Sequence, residues 1–266
     1  MNRSTASQKY LEARKYLENA IFLARLEISK RYKKSFLGIW WSLVTPIITI
    51  AIYYIIFESV LRSPNSSKLE YFTYIVSGVI YITFIVQTLT MVAENLSEKA
   101  SVLHKINARP NLLGSSVAIA SLLNFLISLS LLFTILIASG IGISLFTLLI
   151  FPFAVYLMLI MLSFGLLFSI VYVYFEDAKA LVRIAIGFIP YLTPVFYRTS
   201  DLPASVGELI NVLPTTQLLI VFRFLLRINT DSPTSFSILT LLILAAIIPI
   251  NFLIFDRLWK RAIKLI

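Results

Sequence analysis

The sequence contains no cysteine, which excludes disulfides and thiolate chemistry. It has one histidine, and its 13 carboxylates are spread thinly over 266 residues, so a metal centre has little material to draw on. Charged residues make up only 14% of the chain, where a soluble domain has about 25%. That is too little polar surface for a water-soluble fold. No Gly-rich turn leads into Gly-Lys-Ser or Gly-Lys-Thr, so the chain carries no phosphate-cradling loop of its own. Asp, Glu and His nowhere cluster as a membrane-embedded hydrolase or transferase would need. Ion-coupled carriers keep ionisable groups at mid-membrane. Only Glu58 and Arg183 come near, and both stand at the ends of apolar runs, where snorkelling accounts for them. A cleavable leader is not expected, because residues 1–20 carry Lys9, Glu12, Arg14, Lys15 and Glu18 with no apolar core. No cofactor and no metal are expected.

What the chain has in plenty is hydrophobic surface, at 59% of its residues. The stretch from Arg31 to Leu61 organises the rest. Lys30, Arg31, Lys33 and Lys34 come first, then 22 residues from Phe36 to Phe57 without a charge. At about 1.5 Å per residue such a run makes roughly 33 Å of helix, enough to cross a bilayer core. Basic residues ahead of it hold that end in the cytoplasm. The net charge of +10 does not indicate nucleic acid. Eighteen of the 23 Lys and Arg fall in four segments that hydropathy places on one side of a membrane. Basic residues arranged that way report topology.

Residues 7–34 are charged yet periodic, with Tyr10, Leu17, Ile21, Ala24, Ile28 and Tyr32 at helical spacing. They read as an amphipathic helix in the cytoplasmic interface, although a soluble helix packed on a partner would show the same pattern. Spans are expected at about 36–57, 71–93, 112–139, 145–173, 180–197 and 236–255, with both termini inside. Ser63-Pro64-Asn65-Ser66-Ser67 reads as an external turn, and Tyr71, Phe72 and Tyr74 as an interfacial aromatic belt. Residues 94–111 form the one substantial polar insert between early spans. Asn95 and Glu98 suggest a capping box there, and Pro110 a helix stop. The fourth span is long enough to be tilted or broken at Pro152. Arg183, Gly187, Pro190 and Pro194 interrupt the fifth. Within 198–235, two apolar pieces near 206–213 and 215–226 are each too short to cross and read as half-inserted external helices.

Three fragments carry a family resemblance. They are Leu37-Gly38-Ile39-Trp40-Trp41-Ser42-Leu43 with Pro46 after it, Tyr174-Phe175-Glu176-Asp177-Ala178-Lys179, and Asn211-Val212-Leu213-Pro214-Thr215. The chain resembles the ABC-2 type permeases that export polysaccharides such as O-antigen, capsule and teichoic acid, though two residues separate Asn211 from Pro214 where that family has an Asn-Pro turn. The resemblance implies an all-α integral membrane protein. Its parts would be six transmembrane helices, an N-terminal interface helix and half-inserted external helices before the last span, all forming one domain over 1–266. It implies ATP hydrolysis on a separate ATPase subunit, in two copies beside a permease homodimer in the plasma or inner membrane. It also implies docking of that subunit at 94–111, around Glu98, Lys99, Val102, His104 and Lys105, where a plain solvated connector is the blander reading. The substrate would be a lipid-linked polysaccharide. A permease of similar architecture for a drug or lipid, and a membrane enzyme of envelope synthesis, are the competing classes.

Aromatic rings fill the spans. Sugar rings offer flat C–H faces that stack on aromatics, and phenol hydroxyls bond sugar hydroxyls. A sliding surface for a sugar chain is therefore expected from Tyr53, Tyr54, Phe57, Phe188, Tyr191, Phe196 and Tyr197. Aromatics at the ends of spans also form lipid belts. Trp40 and Trp41 are assigned to such a belt or to a dimer contact.

Overall fold

The computed structural model describes residues 3–33, 36, 38–61, 68–100, 109–175, 177–228 and 232–262. The expected turn at 63–67, Glu176, and Val102, His104 and Lys105 lie outside the described residues, as do the side chains of Tyr10, Tyr32, Phe57 and Glu58. Among the described residues the secondary structure is helical, with no strand. In chain order the helices are α1 (Arg3–Tyr32), α2 (Trp41–Leu61), α3 (Lys68–Glu98), α4 (Pro110–Ala138), α5 (Ile150–Tyr174), α6 (Ala178–Leu192), α7 (Ala204–Val212), α8 (Pro214–Leu225) and α9 (Ser235–Ala262).

α3 is the axis of the molecule. It packs against α2, α4, α5, α6 and α8, and it buries 72% of its most apolar window, against 22% for α9. Small residues let its neighbours approach closely, which is how helices pack where lipid removes the hydrophobic drive. A Cβ on Gly165 of α5 would lie 2.8 Å from Val92 Cβ. Cross-helix hydrogen bonds add to this: Tyr156 Oη donates to Leu241 O at 2.6 Å, and Asn251 Nδ2 to Ser163 Oγ at 3.2 Å, both joining α5 to α9.

Among the described residues four helices are long and apolar enough to cross a membrane: α3, α4, α9, and α5 together with the 3-10 turn Leu145–Leu149 ahead of it. Pro152 does not break this last one, since it lies in the first turn of α5, where a proline costs little. α7 and α8 are bent by 83° at Leu213, and count as a fifth crossing only if taken as one broken span. α2 starts at Trp41, after a 3-10 turn at Gly38–Trp40 that takes up the start of the expected run, and its described apolar part is Trp41–Ile56. Gly38 sits at φ +52°, a conformation that suits glycine, so one residue of the first family-like fragment has a backbone reason. α6 has 15 residues.

Two punctuation readings are corrected. Asn95 does not cap a new helix, because α3 runs on to Glu98. The Asn95 side chain instead donates to Glu27 Oε1 of α1 at 3.1 Å and accepts from Lys99 Nζ at 2.6 Å. Pro110 opens α4 at its first position, where its missing N–H costs nothing. α1 packs along α4, with Ala20 and Ala24 buried, while Leu17, Ile21 and Phe22 remain exposed. The two alanines sit at the protein contact, with Leu23 and Ile28 half-buried beside them. Tyr16 and Ser115 share a hydroxyl hydrogen bond of 2.9 Å, and burial pushes the Tyr16 phenol above its ordinary value.

α8 ends on Arg227 at φ +58°, the left-handed region. Arg227 N donates to Phe224 O and Ile228 N to Arg223 O, so a Schellman cap is closed on a residue that carries a Cβ. Arg227→Gly should therefore stabilise the protein by about 1 kcal/mol, read as a higher midpoint in thermal unfolding.

Candidate functional site

Tyr71, Tyr74, Gly78 and Tyr81 recur at intervals that put them on one face of α3. Tyr71 and Tyr74 were expected in a lipid belt. They are buried instead, at 3% and 4% exposure, because their hydroxyls have backbone acceptors to satisfy. Tyr71 Oη donates to Phe196 O at 3.0 Å, Tyr74 Oη to Tyr197 O at 2.6 Å, and Tyr81 Oη to Thr215 O at 2.9 Å. The irregular segment after α6 and the start of α8 are thereby fastened to α3.

Arg223 of α8 enters the middle of this arrangement. Its Nε donates to Ser77 Oγ (3.3 Å), Nη1 to Pro194 O (2.9 Å), and Nη2 to Tyr74 O (3.1 Å) and Val195 O (3.2 Å). The guanidinium carbon lies 3.5 Å from the centroid of the Tyr74 ring, a close cation–π contact. Gly78 makes the room, since a Cβ there would stand 2.7 Å from Nη2. Arg223 is 3% exposed, and among the described residues no carboxylate pairs with it. A buried cation held only by carbonyls, a hydroxyl and a ring is costly to desolvate, so the site is more than filler. In sequence, Arg223 shows only as a charge that splits an apolar piece.

Beside it is a cavity of about 270 Å³, bordered by Glu70, Tyr74, Arg198, Asn211, Thr216 and Arg223 among others. Arg198 Nη2 is 3.2 Å from Glu70 Oε1, both about one-third exposed. Thr216 is fully buried, and its Oγ1 has no hydrogen-bond partner among the described residues.

The expected conduit aromatics are partly brought together. Tyr53 of α2 meets Phe196, with ring centroids 4.4 Å apart, and Tyr54 meets Phe72 edge-on at 5.1 Å. Tyr197 Oη donates to Tyr191 O at 2.9 Å. Phe196 is buried beneath Tyr53, whereas Phe188 and Tyr191 are exposed on α6. Trp40 and Trp41 are exposed, and Trp41 borders a second cavity of about 330 Å³ among α2, α3 and α4 that also meets Thr45, Thr83, Gln87 and Asn124. Sequence reading missed this polar pocket, since its residues are scattered singly through three apolar runs.

At the other end of α3, Lys99 Nζ lies 3.6 Å from Glu27 Oε2, and Glu98 is exposed. Arg183 of α6 reaches back to Glu94 of α3, with Nη2 2.6 Å from Oε1, so it has a specific partner and is not merely snorkelling. Asn111 Nδ2 donates to Asp256 Oδ1 at 2.7 Å, tying α4 to α9 at this same end. Charged groups thus gather at the two ends of the bundle, with apolar helix between.

Comparison with known proteins agrees with this architecture. A Klebsiella pneumoniae protein described as the O-antigen export system permease protein RfbA is 23% identical over 222 residues, 82% of this chain and 84% of the relative. A Myxococcus xanthus protein of the same description is 27% identical over 186 residues, 68% of this chain and 69% of the relative. The sequence profile described as ABC-2 type transporter matches residues 19–226, most of the length, and the chain belongs to that family.

Proposed function

We propose that the chain is the permease half of an ATP-driven exporter that moves a lipid-linked polysaccharide, O-antigen-like, out across the bacterial or archaeal inner membrane. The observation that carries this reading is the likeness to O-antigen export permeases over about two-thirds to four-fifths of the chain, 68% to 82% of it. In this reading α2, α3, α4, α5, α6 and α9 are the six spans, α7 and α8 form the half-inserted external pair, and both termini are cytoplasmic. α1 lies in the interface. The exposed apolar side chains Leu17, Phe22 and Leu26 support its contact with lipid.

Two copies form the conduit. α6 supports this, because Leu181, Ile184, Phe188, Tyr191 and Leu192 are all exposed on a helix that also carries an internal Pro190. The backbone group that a proline frees at membrane depth needs protein or water beside it. Tyr53, Tyr54, Tyr191 and Tyr197, with Phe57, Phe188 and Phe196, form its sliding surface, and Trp40 and Trp41 sit at the cytoplasmic rim. Glu98, Lys99, Val102, His104 and Lys105 dock into a separate ATPase subunit, one for each permease copy.

Copurification tests the whole reading. The full chain, expressed with its cognate ATPase subunit, should be isolated as two permeases with two ATPases carrying a bound glycolipid, by native mass spectrometry. Cysteines placed at positions 98–105 should crosslink to the ATPase. A complex with one permease copy, or crosslinks only from 200–228, would refute it.

A further inference from the structure

We propose that the cavity between Arg198, Thr216 and Arg223 is an anion site that takes a phosphate group, as a monoester or diester, at the end of the bundle away from Glu94. This inference stands apart from the exporter reading and rests on three observations in one place.

The first is charge. Two guanidinium groups border the cavity and one carboxylate, Glu70, opposes them. Glu70 already engages Arg198, so Arg223 is left with a buried positive charge and no counter-ion among the described residues. Four of its five N–H groups are taken, and the remaining one, on Nη1, has no acceptor among the described residues. That remaining N–H and the guanidinium of Arg198 are charged donors, of the kind phosphate oxygens accept from.

The second is the orphan hydroxyl. Thr216 borders the cavity, is fully buried, and its Oγ1 has no partner among the described residues. A buried hydroxyl left unsatisfied costs free energy, and an oxyanion accepting its proton would remove that cost.

The third is room and neutral donors. About 270 Å³ holds a phosphate group with waters beside it, and Thr199, Ser200 and Asn211 supply further polar side chains at the wall. Entry of the anion is a competition: it takes Arg198 from Glu70 in part, so Glu70 sets how tightly the site binds. The same phosphate chemistry comes either free in solution or on a lipid head group in the adjacent leaflet.

Thermal unfolding of the purified full chain in a neutral maltoside detergent, without phosphate in the buffer, decides this. Two probes are added separately, inorganic phosphate and phosphatidylglycerol. A midpoint raised by inorganic phosphate identifies a site open to the free ion, and one raised only by phosphatidylglycerol identifies a head-group site. In either case Arg198→Gln should weaken the apparent affinity roughly tenfold, as loss of one charge-assisted bond does. Glu70→Gln should tighten it. Thr216→Val is the discriminating variant. Without ligand its midpoint should equal or exceed the wild type, because an unsatisfied hydroxyl has been removed, yet the ligand-induced rise should shrink. The inference is overturned by no rise with either probe. It is equally overturned by a rise that persists undiminished in both Arg198→Gln and Thr216→Val, which would reflect bulk lipid or ionic effects.

Discussion

Arg223→Met is expected to lower stability by about 3–5 kcal/mol, seen as a much reduced midpoint in thermal unfolding and a reduced yield of inserted protein. The reason is the number of groups left behind. Ser77 Oγ and the carbonyls of Tyr74, Pro194 and Val195 all lose a charged donor at once, at a position where the side chain is buried. The Tyr74 ring also loses the cation over its face. Methionine fills much of the volume, so the loss isolates hydrogen bonding from cavity formation. Arg223→Lys should recover less than half of it, since one ammonium cannot span four acceptors set around a planar fork. The damage should be local at first. Segment 193–200 and the α7–α8 pair are held to α3 by Arg223 and the tyrosines, so protease sites near 198–203 should open before those in α3. An Arg223→Met protein with an unchanged midpoint would mean that the tyrosines alone hold this end.

The same site shows where sequence reading succeeds and where it stops. The family, the helical class and the membrane-length runs at α3, α4, α5 and α9 follow from uncharged stretches and from short fragments at the right places. Those signals are local in sequence. The bracing of α8 on α3 is not, because Arg223 and Tyr74 are 149 residues apart. In a linear reading Tyr74 is an aromatic near a span end, which usually faces lipid, and Arg223 is an interruption. Only the fold shows that one satisfies the other. The α3 stripe of Tyr71, Tyr74, Gly78 and Tyr81 was the available clue, since a glycine among tyrosines on one face implies something large lodged there. Asn95 and Pro110 failed for a different reason. Both are real helix-terminus residues, but Pro110 begins a helix and Asn95 is used across helices, and spacing alone does not separate those roles.

Gly165→Leu and Gly187→Leu form the last test, because the same substitution should fail in two different ways. Gly165 sits in the closest approach of α5 to α3. A Cβ there meets Val92 Cβ at 2.8 Å, Val92 Cγ1 at 2.9 Å and Leu89 O at 3.2 Å. Leu89 O is backbone and Val92 is β-branched, so neither yields by a simple rotamer change. α5 must move off the central helix, at a cost of about 1–3 kcal/mol for overpacking, and more where helix contact depends on close backbones. Gly165→Leu should therefore lower the unfolding midpoint and the amount of folded protein. Gly187 has nothing within 4 Å of its would-be Cβ, and its neighbour Phe188 is exposed. Gly187→Leu should leave the isolated chain as stable as before, or slightly more so, since leucine favours helix. Export is where it should fail. If α6 lines the conduit, as proposed, a leucine beside Phe188 narrows the path, and polysaccharide at the cell surface should fall although permease and ATPase levels stay normal. Normal export from Gly187→Leu would turn this face of α6 toward lipid. Loss of assembly with the second copy, with the single chain still folded, would place it at the dimer contact instead.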